Sequence, residues 1–209
     1  MSEPIRKPNQ IPESYVPKKP EILNLAEKFQ NVEKTIKSIR NKGVEFEIVQ
    51  RTDVLWVGCV DYASNNTDET DIHATLKRYR EELIDIKKRD LINPDWSASL
   101  SINYRRDDRP CGLMFAQETY SRKQDKRYEL LVQPGGLWLR IHITEETDAA
   151  LLGRKNYGLY EYFAGDTAPL QSAARENGYK QNPDVDIQIE YGRHTGPSLS
   201  YAYIPIINA

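Results

Sequence analysis

The sequence predicts an α+β fold made of two strand-helix-strand-strand (βαββ) units, related by a pseudo-twofold axis and preceded by an N-terminal helix. Three observations carry this reading. Several stretches alternate apolar and polar residues with the period of two that marks a half-buried strand; in "GGLWLRIHITEE" (residues 135–146), Leu137, Leu139, Ile141 and Ile143 share one side, and Trp138, Arg140 and His142 the other. One stretch, 71–89, repeats Ile72, Leu76, Tyr79, Leu83 and Ile86 at helical spacing. Finally, the second half echoes the first. "FEIVQRTDVLWVG" (46–58) aligns without a gap on "YELLVQPGGLWLR" (128–140), "INYRRDDRP" (102–110) aligns on "IEYGRHTGP" (189–197), and the offset between copies differs by five residues from one block to the other. Two copies do not make a repeat array, so the pair is expected to close as one domain with antiparallel strands and helices on one face.

The elements follow in order. Residues 1–20 hold Pro4, Pro8, Pro12, Pro17 and Pro20 and read as an extended arm. Residues 21–43 place Ile22, Leu25, Phe29, Val32, Ile36 and Ile39 on a heptad seam ending at Gly43, which predicts a helix that packs on its own domain or pairs with a second copy. The domain proper spans 44–209, with repeat one over about 44–118 and repeat two over about 126–206. Residues 44–62 predict two short strands, or one strand with a break near Thr52 and Asp53, and 97–117 predict a hairpin turning around Asp107 to Pro110. The helical part of repeat two, interrupted by glycines, lies between about 147 and 179.

Composition narrows the function. A formal net charge of -2 with 29% charged residues is that of an ordinary globular domain and gives no basic face for nucleic acid. There is no apolar run long enough to span a membrane and no signal-peptide pattern, so a cytoplasmic protein is expected. Cys59 and Cys111 lie in strand-like stretches and are expected to be reduced, buried thiols. His73, His142 and His194 are widely spread, and no Cys/His spacing suggests a metal; no phosphate loop or other cofactor motif is present.

If the greasy strand faces meet the helices, the opposite face collects the groups with chemistry. Trp56, Trp138, Arg140 and His142 fall there by alternation, with Tyr201 and Tyr203 from the last strand. With Ile187, Ile189 and Tyr191 assigned to the helical side, Gln188 and Glu190 join the same face, and Ser101 and Asn103 take the matching places in repeat one. A cleft with aromatic walls and one carboxylate suits a lipophilic cation, through cation–π attraction and counter-charge. Arg140 could neutralise Glu190 and weaken that argument. A plain wet sheet face or a second core layer is the alternative.

The stretches "FEIVQRTDVLWVGC", "YELLVQPGGLWLRI", "ENGYKQNPDVDIQIEY" and "YAYIPI" resemble the GyrI-like effector-binding domains, the ligand domains of MerR- and AraC-type multidrug regulators, over roughly residues 44–206. The resemblance implies a duplicated fold with a cleft for small aromatic, cationic, drug-like molecules, in a sensor or sequestering protein. It also implies a pocket glutamate in the strand before the last; Glu190 matches best, with Gln188 as the alternative. Some members hydrolyse reactive small-molecule toxins with a pocket glutamate, so a hydrolase using Glu190 to activate water is a second reading. A third is a protein-interaction module, or a homodimer, formed through helix 21–43. Those first 43 residues do not hold the helices of a helix-turn-helix unit, so no specific nucleic-acid binding is expected.

Overall fold

The computed structural model describes residues 32–63, 74–83, 90–104, 111–154, 160–193 and 199–209. The arm 1–20, the segment 21–31, the turn around Asp107 to Pro110, His73 and His194 lie outside the described residues. The described chain is α+β. Its strands are β1 (Glu33–Asn41), β2 (Val44–Arg51), β3 (Val54–Ala63), β4 (Trp96–Ile102), β5 (Cys111–Thr119), β6 (Glu129–Gln133), β7 (Gly136–Ile143), β8 (Tyr179–Gln181), β9 (Ile187–Arg193) and β10 (Leu199–Asn208). The helices are a π-type turn α1 (Arg78–Leu83), then α2 (Glu145–Leu152), α3 (Tyr160–Phe163) and α4 (Pro169–Glu176). The strands form one sheet in the order β1-β2-β7-β10-β9-β4-β5-β3-β6, with β8 on β10 and every pairing antiparallel.

The N-terminal helix expected over 21–43 does not cover 33–43. Those residues form β1 and a hairpin turn into β2, in register from Asn41 opposite Val44 to Glu33 opposite Arg51. Two features of the chain favour the hairpin. Lys42 (φ 48°) and Gly43 (φ 80°) both take left-handed conformations, as a two-residue type I′ turn requires, and glycine takes that φ without a Cβ penalty. "VEFEIVQR" then offers a strand edge whose hydrogen bonds a helix would leave unmade. The glycine read as a helix cap is thus a turn residue. Val32 and Ile36, members of the supposed seam, are 56% and 54% exposed, and Ile36 sits at a bulge.

Partner residues on antiparallel strands project to the same side, so the pairings sort the sheet into two faces. On the outer face Phe46, Ile48, Leu139, Ile141, Ala202, Ile204 and Ile206 pack against Tyr162, Phe163, Leu170, Ala173 and Ala174 of α3 and α4. Farther along that face Cys59 and Phe115 pack against Tyr79 of α1. This is the helix-covered greasy face that the alternation predicts. Within it, α2 begins at a capping box made by Thr144 and Thr147 and ends at Gly153, and the Tyr162 hydroxyl donates to the buried Asp148 carboxylate at 2.7 Å.

The inner face has its own core, drawing on Val49, Trp56, Leu100, Met114, Trp138, Ile189, Tyr191 and Tyr203 among others. It exists because the sheet curls on itself. Arg51 on β2 and Glu118 on β5 are five strand steps apart, about 24 Å in a flat sheet, yet their side chains meet at 3.4 Å. Two short connections tie the ends of the sheet: β2 enters β3 through Thr52 and Asp53, and β6 enters β7 through Pro134 and Gly135. These cross side by side, with the Gly135 N–H donating to Asp53 Oδ1 at 2.9 Å. Residue size follows the curvature. One row across the inner face runs His142, Tyr201, Tyr191, Ala98, Ala116, Gly58, from large rings to no side chain. A Cβ at Gly58 would stand 1.9 Å from the Phe115 carbonyl oxygen, so only glycine permits the approach there.

Candidate functional site

The inner face holds all three tryptophans of the chain. Trp56 and Trp138 are 0% and 1% exposed, while Trp96, at the start of β4, is half-buried against the same cluster. Rings continue outward from this floor. Trp96 lies 4.9 Å from Tyr191 and stacks on Tyr201 at 6.3 Å and 21°; Tyr201 stacks in turn on His142 at 5.0 Å and 29°. Trp56 meets Tyr191 edge-on at 5.6 Å. The order follows from register, because Tyr201 pairs with both His142 and Tyr191. The ladder is partly open: His142 is exposed, and Trp96 and Tyr201 are intermediate.

A chain of charges runs beside the rings. Arg140 pairs with Glu47 at 2.7 Å and with Glu33, and its guanidinium sits 5.1 Å from the Tyr201 ring centre. Glu33 also pairs with Arg51 at 3.2 Å, and Arg51 reaches Glu118 at 3.4 Å. The other Glu118 oxygen accepts from Asn93 Nδ2 at 3.1 Å, and the same amide lies 3.2 Å from the Tyr191 hydroxyl. Arg51 and Glu118 are 1% and 0% exposed. Among the described residues, this chain holds three carboxylates against two guanidiniums.

Burial decides the protonation of the flanking groups. Desolvation, reinforced by the neighbouring Glu118 carboxylate, pushes the Tyr191 hydroxyl well above the usual tyrosine range. Tyr203 is pushed up to about 12, chiefly by desolvation, against the lowering effect of the Arg51 charge. Both stay neutral and can donate. Desolvation works against the charged form of Arg140, but its hydrogen bonds to Glu47 and Tyr203 outweigh it and hold its pKa above the ordinary value.

Six residues expected on this face are there: Trp56, Trp138, Arg140, His142, Tyr201 and Tyr203. Glu190 is not. It pairs with Ala202 and Ser99, which places it on the outer face, while Ile189 and Tyr191 take the inner one. Gln188, two residues away, goes with it. The assignment fails because alternation gives a phase and not a direction, and β9 is buried on both faces; its apolar set fills the inner core instead of the helix-covered one. Asn103, also expected, lies past the far end of β4 from Trp96, buried in a left-handed conformation with its N–H on the Asp186 carbonyl. Arg140 therefore has Glu47 and Glu33 as partners, and the buried carboxylate among the rings is Glu118.

Glu118, Arg51, Asn93, Trp96 and Tyr191 were missed as site residues. For Glu118 a signal existed: in "CGLMFAQET" it continues the phase of Met114 and Ala116, so a carboxylate stands where the strand is apolar. For Arg51 the only sign was a charge in phase with Val49. Outside this face, the Cys59 thiol donates to the Thr75 carbonyl at 3.3 Å, and desolvation, with Asp186 nearby, pushes Cys111 up to about 12. Both cysteines are free thiols, and neither has the environment of a nucleophile. No cluster of metal-ligating side chains, and no helix long and apolar enough to cross a membrane, occurs among the described residues.

The fold is shared with solved structures at low identity. SAV2435 bound to tetraphenylphosphonium matches with a TM-score of 0.55 and 10% identity, over 78% of this chain and 93% of that one. The EcmrR C-terminal domain matches at 0.53 and 8%, over 79% and 99%. A protein from Staphylococcus aureus MU50, described as acting in bacterial transcription regulation, matches at 0.50 and 11%, over 78% and 99%. No protein-family model and no curated protein matches the chain. The match to SAV2435 and the EcmrR C-terminal domain agrees, for the fold alone, with the GyrI-like likeness read from the sequence.

Proposed function

We propose that this chain binds small aromatic molecules on the inner face of its curled sheet, as a sensor or sequestering protein. The observation that carries the reading is the convergence of three tryptophans and a partly open Trp96–Tyr201–His142 ladder on one buried ion-pair chain. A site that is apolar and aromatic, with a few placed polar groups, is what small-molecule recognition asks for. We read the face as the cleft between two duplicated halves. Supporting that, Val49 pairs with Trp138 and Leu131 pairs with Trp56, and these are the residues that the gapless alignment of 46–58 on 128–140 equates. The fold shared with SAV2435, whose structure carries tetraphenylphosphonium, supports a lipophilic aromatic ligand.

The test uses the chain's own fluorophores. A panel of cationic, neutral and anionic polycyclic compounds is screened by tryptophan fluorescence and thermal shift. At least one class quenches the emission and raises the melting temperature saturably, and Tyr201→Ala weakens that binding about tenfold, or about 1.4 kcal/mol. If no class does either at millimolar concentration, the reading fails.

A further inference from the structure

Resting on the reading of the inner face as a ligand site, we infer that Arg51 sets the charge class of the ligand, because its guanidinium already fills the place a ligand cation would take. A site for a lipophilic cation needs aromatic faces and a desolvated counter-charge. Both surround Arg51. Its Cζ lies 4.8 Å from the Tyr203 ring centre and 5.9 Å from that of Trp138, Nη2 is 3.4 Å from Glu118, and Nε is 3.2 Å from Glu33. Glu118 is held in place from its other oxygen by Asn93. The occupant is part of the chain, so no binding entropy opposes its staying.

An incoming cation meets two obstacles. It must displace a tethered guanidinium, and it must share a low-dielectric space with that like charge once displaced. A neutral ring system stacking on Trp96 and Tyr201 meets neither. The repeat adds a second observation. The gapless alignment sets Arg51 against Gln133, a neutral amide that accepts from Trp56 Nε1 at 2.9 Å. Bracing the crossing strands therefore needs no charge in one half, which points to a role for Arg51 in selection and not only in folding.

The experiment compares tetraphenylphosphonium with triphenylphosphine oxide, a neutral probe of similar aromatic bulk, by tryptophan quenching on the full chain. The wild type binds the neutral probe more tightly than the cation. Arg51→Ala binds the cation at least about tenfold more tightly than the wild type does, and Arg51→Ala with Glu118→Gln loses the gain. If Arg51→Ala takes the cation no more tightly than the wild type while the neutral probe still binds, the inference is overturned and the ligand reading stands. If neither probe nor any compound of the panel binds any form, the ligand reading falls and takes the inference with it. Should Arg51→Ala melt too low for titration, methylguanidinium is the second measurement. A saturable rise in its melting temperature, absent in the wild type, supports an occupied cation cage; no rise overturns it.

Discussion

Glu118 and Glu190 are both carboxylates inside strands, and the sheet treats them differently. Glu118 enters the inner core with Arg51 and Asn93 as partners. Glu190, level with Ser99 and Ala202 on the outer face, is pushed above the usual glutamate range by burial alone. The folded state therefore favours its neutral form, while the unfolded chain ionises near about 4.3. Between those two values the folded state binds more protons, so this group's contribution is complete at acid pH and is lost as the pH rises through the folded value. Glu190→Gln mimics the protonated form. It raises the melting temperature at pH 7 and leaves it unchanged near pH 4, measured by thermal denaturation at both values. An equal gain at the two would show that the effect is packing and not ionisation. The sequence made the residue types of the inner face legible, since six expected side chains are there, but not which carboxylate joins them. Choosing between Glu118 and Glu190 needs the direction of a strand's phase, and only tertiary packing sets that.

The hairpin of β1 and β2 shows how two periodicities compete over one segment. Val32, Ile36 and Ile39 fit a heptad, but in the strand only Ile39 is buried, with Phe46 as its cross-strand partner in the outer core. The seam of apolar residues was too short to stand against a partner strand that satisfies the backbone, so long-range pairing overrides local helical preference. "NKGV" carried the contrary signal: a glycine after a residue that tolerates little left-handed strain reads as a cap or as a turn. Lys42 bears that strain at φ 48°. Asparagine adopts the conformation more readily and favours the type I′ turn. Lys42→Asn stabilises the fold by about 0.5 kcal/mol, read from the midpoint of urea unfolding. Destabilisation would mean that Lys42 makes a contact worth more than its strain.

At the scale of the molecule, the legible part is the alternation and its consequence, one face under helices and one bearing aromatics. The curl is the part that was not. It depends on the Ala98, Ala116, Gly58 taper and on two crossings at Thr52-Asp53 and Pro134-Gly135, and none of these announces itself in a period of two. Curling turns a surface into a second core, and that core is shared: β2, β7 and β10 contribute Val49, Trp138 and Tyr203, and β3, β4 and β5 contribute Trp56, Leu100 and Met114. Neither set of strands can expose its inner side without stripping the other, and the Arg51–Glu118 pair would be broken at the same step. The chain is therefore expected to unfold as one cooperative unit, although the sequence is read as a duplication. All three tryptophans report on the shared core, whereas far-ultraviolet circular dichroism reports on every strand and helix. The two signals share one midpoint and one slope in urea. A fluorescence transition that precedes loss of the dichroism would show the inner face opening while the helix-covered face stays folded, and the shared core would then be the weaker of the two cores and not the bond that makes the chain one unit.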